Sequence, residues 1–168
     1  MISNNIKSKI LTLIPNWLLL YYKKINYRKK NISLRDDKFK KLNNREIFST
    51  IYRDNLWGSN EINYFFSGPG SHNNEIVDSY VKIIFKYFKE DFQFLKFLDL
   101  GCGDFNIGRQ LYPNSKSYLG VDVVPELIER NKKVFNAKNL DFLCKDIVKD
   151  DLPDADCILL REVLQHLT

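Results

Sequence analysis

From Lys96 to the end of the chain, short apolar runs alternate with stretches of helical period. "KFLDLG" reads as an apolar strand, "GCGDFN" as a tight loop and Phe105–Leu111 as a short helix. "SYLGVDV" follows as a second strand. "PELIERNKKVF" is a helix with Pro125 at its first position and Glu126 and Glu129 early, where they complement the helix dipole. "LDFLCKD" and "ADCILL" are the third and fourth strands, and "EVLQHLT" begins another helix. Strands joined by crossover helices predict an α/β fold with a parallel, Rossmann-like sheet and right-handed connections. Upstream, Asn44–Asn60 has helical spacing, with Ile47, Phe48, Ile51 and Tyr52 on one face and Gly58 as a stop. Gly68, Pro69 and Gly70 make a turn or open loop. The next run, "IVDSYVKIIFKYFKE", predicts an amphipathic helix burying Ile76, Tyr80, Val81, Ile84, Phe85 and Phe88.

Ligands bind such sheets at the carboxyl ends of the strands, and the polar residues concentrate there. Gly101 and Gly103 directly follow the first strand, where the backbone can turn sharply and approach a ligand. Asp122 ends the second strand, 21 residues after Gly101, the place where a carboxylate meets ribose hydroxyls. Asp146 ends the third, within reach of an adenine amino group. The glycine loop departs from the dinucleotide pattern, because Asn106 stands where G-x-G-x-x-G has its third glycine. Asp99 before the turn and Asp104 at the helix start would repel a pyrophosphate but attract a cation. A phosphate-free, sulfonium-bearing cofactor, S-adenosylmethionine, therefore suits the loop better than NAD(P).

"FLDLGCGDFN", "YLGVDVVPELIERNK", "DFLCKDI" and "DCILLREVLQHLT", in that order, resemble the class I S-adenosylmethionine-dependent methyltransferases over residues 95–168. More loosely, "LWGSNEINYFFSGPGS" resembles the segment before the first strand in a bacterial subgroup met among sugar and surface-polysaccharide genes. The resemblance implies that Asp99, Gly101 and Gly103, with Cys102 and Asp104 between and beside them, cradle the methionyl and ribose part of the donor. It implies that Asp122, with Val123 next to it, holds the ribose, that Asp146 and Ile147 flank the adenine, and that Arg161 sits on the donor site where the acceptor pocket begins. The implied sheet has the order 3-2-1-4-5-7-6. This sequence supplies strands 3-2-1-4, so strands 5–7 are missing and the domain, residues 46–168, is expected to be partial and truncated. The fourth strand is then an exposed edge open to a partner chain.

Methyl transfer is an in-line displacement that demands alignment, with a base only for some acceptors. No catalytic residue is assigned. His166 and Arg161 are the candidates: His166 as a base or a packing histidine, Arg161 as an anchor for an acidic acceptor or an ion-pair partner. The function implied is methyl transfer to a small molecule or a sugar or polysaccharide precursor. The alternative is a non-catalytic module that binds the donor or pairs with another chain.

Charge adds one feature. Residues 1–45 hold 12 Lys and Arg against 2 Asp and Glu, while the rest of the chain is net negative. The basic character belongs to an N-terminal arm and not to a folded nucleic-acid-binding face, so no nucleic acid is expected as a partner. Within the arm, Ile10–Tyr22 is apolar but only 13 residues long and broken by Pro15 and Asn16, too short to span a bilayer. Residues 10–30 are either an interfacial membrane contact or a helix packed on protein. A cytoplasmic location is expected, with the inner face of the membrane as the place such a contact would select. Cys102, Cys144 and Cys157 lack metal-ligand spacing and read as reduced, buried thiols; no metal is expected.

Overall fold

The computed structural model describes residues 39, 41–58 and 65–167. The chain divides into two compact units, Met1–Leu42 and Asn43–Thr168, and nearly all described residues belong to the second. The apolar and basic part of the arm, with the expected membrane contact at residues 10–30, lies outside the described residues. No helix among the described residues is long and apolar enough to cross a membrane.

Helix α1 spans Asn44–Arg53. Asn43 opens it through a capping box: its side chain accepts from the Glu46 N–H, and the Glu46 carboxylate accepts from the Asn43 N–H. The helix ends well before Gly58. The chain turns at Asp54, and Asn55 takes a left-handed φ of 50°. That turn folds Trp57 back onto Phe48 and Tyr52, which pack with Val124 and Leu127 of the other half of the unit. Pro69–His72 form a single helical turn, α2. Asn73 then caps α3, Asn74–Phe88, by accepting from the Ile76 N–H. Val77 and Val81 are the buried positions of α3; Ile76, expected on that face, is 48% exposed.

Four parallel strands follow, β1 (Lys96–Leu100), β2 (Ser117–Asp122), β3 (Leu140–Cys144) and β4 (Cys157–Leu160), in the order β3-β2-β1-β4. This is the expected 3-2-1-4. Register puts Phe97 beside Tyr118 and Cys157, and Leu100 beside Val121 and Leu160. Alternation then gives two faces. Phe97, Tyr118, Phe142 and Leu159 form one, packed with Val77 and Val81 of α3 and Ile128 of α5 (Pro125–Val134). Leu98, Leu100 and Val121 form the other, met by Ile147, Leu152 and Ala155 from the chain between β3 and β4. On this second face Ile158 and Leu160 of β4 remain 58% and 38% exposed, and β4 is an edge of the described sheet.

Two predicted helices differ. After the glycine loop the helix is only Gly108–Leu111, α4, and not Phe105–Leu111. Phe105 instead takes φ 65° and sends a fully buried ring among Tyr112, Tyr118, Phe135 and Phe142. A Cβ at residue 108 would collide with that ring, so Gly108 makes the burial feasible. The left-handed backbone costs about 1–2 kcal/mol, and burying the ring returns roughly 1.5–3 kcal/mol. After β4, Glu162 is also left-handed, at φ 54°, and the expected helix is one 3-10 turn, Leu164–His166.

Candidate functional site

A cleft opens where β1 and β4 end, beneath the segment that leads into α3. It outlines about 420 Å³ of space, a figure that includes open solvent at its mouth. Asp99, Gly101, Cys102, Gly103, Asp104 and Arg161 all line it, so the structure brings together six of the residues expected from sequence. Asp122, Val123, Asp146 and Ile147 do not line it.

The glycine loop is built by its backbone. The N–H groups of Gly101 and Cys102 both donate to the Val121 carbonyl, which locks the turn to β2. Gly101 and Gly103 have φ of 76° and 54°, conformations that favour glycine. A Cβ at Gly101 would run into Val163, and one at Gly103 into Ser67. The bare Cα faces are therefore in close contact with two other segments of the chain, the turn after β4 and the strap Phe65–His72.

From sequence that strap reads either as a loop whose backbone N–H groups approach a ligand or as a plain connector, and it supplies much of the site. Ser67 donates its N–H to Asp104 Oδ2 at 3.1 Å, and its hydroxyl accepts the Asp104 N–H at 2.8 Å. Tyr52 shares a hydrogen bond with the same hydroxyl at 2.9 Å. His72 Nε2 bonds Asp104 Oδ2, and its ring stacks on Phe66 with 4.5 Å between centroids. The Asn106 side chain donates to the Ser71 carbonyl at 2.7 Å, and Arg161 Nη2 donates to the Gly70 carbonyl at 3.0 Å. The signal in the sequence was the run of small residues from Ser67 to Ser71, which allows this close approach; its target, 37 residues away, carried no local trace.

The acidic residues differ sharply in what they have left to offer. Asp104 is buried, and its carboxylate accepts from Ser67, His72 and, through Oδ1, the Asn106 N–H. It braces the loop instead of facing a ligand with a free oxygen. Asp122 accepts from the Gly103 N–H through Oδ2 and from the Val124 N–H through Oδ1, both at 3.1 Å. Asp146 accepts from the Asn44 side chain at 3.2 and 3.3 Å and from the Val148 N–H. Asp99 is different. Tyr118 donates to its Oδ2 at 2.9 Å, and among the described residues no donor reaches Oδ1.

Burial sets the protonation of these groups. It pushes Asp99 up to about 7; the Tyr118 hydroxyl opposes the shift and the Asp122 charge adds to it. Burial also raises Asp122 to about 6, against hydrogen bonds from the Val124, Gly103 and Val123 N–H groups and with the Asp104 charge. The Cys102 thiol rises well above its ordinary range through burial and then through the charges of Asp122, Asp99 and Asp104, so it is held neutral. Tyr80 is raised to about 12 by burial and by the Asp99 charge, with Arg161 opposing. Among the described residues lining the cleft, Arg161 is the one Lys, Arg or His side chain, beside Asp99 and Asp104.

His166 stands away from the cleft. Its ring lies 5.5 Å from Trp57 and 6.2 Å, edge-on, from Phe48. Of the two roles weighed for it, these ring contacts fit packing with the aromatic group over α1. Cys102, Cys144 and Cys157 are free and only partly exposed.

The model of the family described as "Methyltransferase domain" matches residues 98–168. Among solved structures, the chain resembles magnesium protoporphyrin IX methyltransferase from Synechocystis PCC 6803 with bound SAM. That match has 18% identity and a TM-score of 0.53, and covers 74% of this chain and 62% of the other. The same enzyme with bound SAH gives 19% identity and a TM-score of 0.53 over 73% and 58%. The N-methyltransferase NodS from Bradyrhizobium japonicum WM9 gives 20% identity and a TM-score of 0.47 over 56% and 55%. The chain therefore spans less than two thirds of the length of these structures. No curated protein matches it significantly.

Proposed function

We propose that the cleft binds S-adenosylmethionine for methyl transfer to a small molecule or a sugar or polysaccharide precursor, a reading supported by the match of residues 98–168 to the methyltransferase domain family and by a sheet with the class I S-adenosylmethionine-dependent methyltransferase fold. The single observation that carries the reading is the juxtaposition, in one cleft beside Gly101, of an acidic oxygen with no protein donor and of a guanidinium. The donor's amino-acid end is zwitterionic and its sulfonium is cationic, so these groups fit it. A pyrophosphate would meet Asp99 and Asp104 with like charge. When bound, the donor would supply a methyl group already activated for displacement. The chain's own work is to orient and to exclude water. Asp99 offers an oxygen to a cation, the loop N–H groups hold the turn rigid against β2, and the strap covers the loop. Asp122 and Asp146, as the proposed ribose and adenine contacts, would each have to share oxygens that already accept backbone or side-chain donors.

Isothermal titration with S-adenosylhomocysteine tests this. Binding is expected, with NAD giving no heat. A folded sample that ignores S-adenosylhomocysteine at millimolar concentration would refute the donor reading. The alternative reading is a non-catalytic module that binds the donor or pairs with another chain. Transfer of labelled methyl groups to any acceptor separates the two.

A further inference from the structure

Helix α3 has two apolar faces, one buried and one exposed. On the first, Val77 and Val81 are buried, and Ile84, Phe85 and Phe88 pack on the same core. The second is a seam of Ile76, Ile83 and Tyr87, spaced by seven and four residues and so aligned along the helix. These residues are 48%, 64% and 78% exposed, and none of them joins a core cluster among the described residues. Tyr87 rests edge-on against Phe88 of the same helix, with 4.9 Å between ring centroids. A lone exposed apolar residue needs no partner, but three aligned over about three turns of one helix make a seam of the kind that pairs helices.

The charges beside the seam say which partner fits. The exposed charges of α3 run from Glu75 and Asp78 near its start to Lys82 and Lys86 near its end. A second copy laid parallel would set like charge on like. Laid antiparallel, it sets acid on base at both ends. Glu75 and Lys86 are eleven residues apart, about three turns, so both lie on one side of the helix, bordering the seam. One antiparallel register then satisfies both kinds of contact. Ile76 of one copy meets Tyr87 of the other, the two Ile83 residues flank the twofold axis, and Glu75 comes opposite Lys86 twice. Ser79, between Ile76 and Ile83 along the helix, is small enough for the two helices to approach closely. An anionic bilayer, by contrast, would meet Glu75 and Asp78 with like charge.

We propose that α3 is a homodimerisation helix: two copies of this chain pair antiparallel through Ile76, Ile83 and Tyr87, with Glu75 of each copy opposite Lys86 of the other. The pairing is independent of the donor reading. Because α3 follows the strap directly, the dimer anchors, in each copy, the downstream end of the segment that covers the glycine loop. One pair of short helices is a small interface, so the association is a weak one, with a Kd of about 10–100 μM.

Sedimentation equilibrium of the full chain from about 5 to about 200 μM tests this. Wild type is expected to pass from monomer to dimer across that range. Ile83→Glu and Tyr87→Glu lie at exposed positions where Glu keeps helix propensity. Each should weaken the dimer at least about tenfold and leave the thermal midpoint of the monomer within about 3 °C, which reports that the variant is folded. Glu75→Lys and Lys86→Glu should each weaken it about three- to tenfold, because each turns two attractive pairs into two repulsive ones. The double variant restores opposite charges and should return to within about twofold of wild type. A dimer indifferent to both Ile83→Glu and Tyr87→Glu, or a double charge variant no tighter than the single ones, overturns the proposal. A wild-type chain that stays monomeric also overturns it, and loss of sedimentation with phosphatidylserine vesicles in Ile83→Glu would then assign the seam to a membrane surface.

Discussion

The strand ends of β1 and of β2 carry the same side chain, an aspartate, in opposite conditions. Asp99 is held by one hydrogen bond, from Tyr118, and keeps an oxygen for the cleft. Asp122 is held by two backbone N–H groups, one on each oxygen, and ties the glycine loop to the start of α5. Asp122 is buried and Asp99 partly so, and burial pushes both carboxyls above the ordinary carboxylate range, Asp99 up to about 7 and Asp122 up to about 6. The difference is one of function within the fold. Asp99 carries a desolvation cost that a bound cation would offset, whereas the backbone already offsets part of that of Asp122. What separates the two carboxylates is therefore the uncommitted oxygen of Asp99 and not burial.

The largest expected effect comes from filling the space between the two. Gly101→Val places a branched side chain at φ 76° and against Val163. Strain and overpacking together should cost about 3 kcal/mol or more, read as a shift of the urea midpoint; an unchanged midpoint would mean that the glycine loop and the turn after β4 are not interlocked. Asp122→Ala should cost about 2 kcal/mol, because two N–H groups lose their acceptor. If instead stability rises, the backbone bonds do not offset the burial of that charge. Asp146→Ala removes bonds to Asn44 and Val148 that lie nearer the surface, and a cost below about 1 kcal/mol is expected. A cost equal to that of Asp122→Ala would erase the distinction between the second and third strand ends.

A finer contrast appears with pH. The folded state holds Asp99 at about 7 against an ordinary 3.8, so between those values it binds more protons than the unfolded chain. Stability should then fall as pH rises from about 4 to 7, with the loss complete above the folded value. Asp122 adds the same sign up to about 6. Asp99→Asn should flatten the upper part of this slope and make the ligand-free chain more stable than wild type at pH 8. A slope of the same steepness in the variant would place the buried proton elsewhere.

Much of this was legible in the sequence. The four strands and their parallel connections follow from apolar runs punctuated by glycine, aspartate and Pro125, and their order from the resemblance to the class I methyltransferases. Asp99, the glycines, Asp104 and Arg161 could be placed at one end of the sheet for the same reason. What could not be read depends on partners distant in sequence. The helix after the loop starts late because Phe105 gives up helical backbone to bury its ring, a choice set by Tyr118 and Phe142. Spacing places Asp104 at the loop but does not reveal its bonds to Ser67 and His72. His166, near the end of β4 in sequence, turns towards Trp57 and Phe48. Spacing reported which residues share a strand end, but not which oxygens remain free there.

The central claim is that Asp99, as a carboxylate, meets the cationic end of a donor in this cleft. The most direct measurement is the affinity of the folded chain for S-adenosylhomocysteine at pH 8 and at pH 6. With Asp99 titrating at about 7, roughly nine-tenths of it is ionised at the higher pH and a tenth at the lower. Binding about tenfold tighter at pH 8, with that ratio lost in Asp99→Asn, is the expected result. Affinity independent of pH, or no binding at either pH by a folded chain, would contradict it.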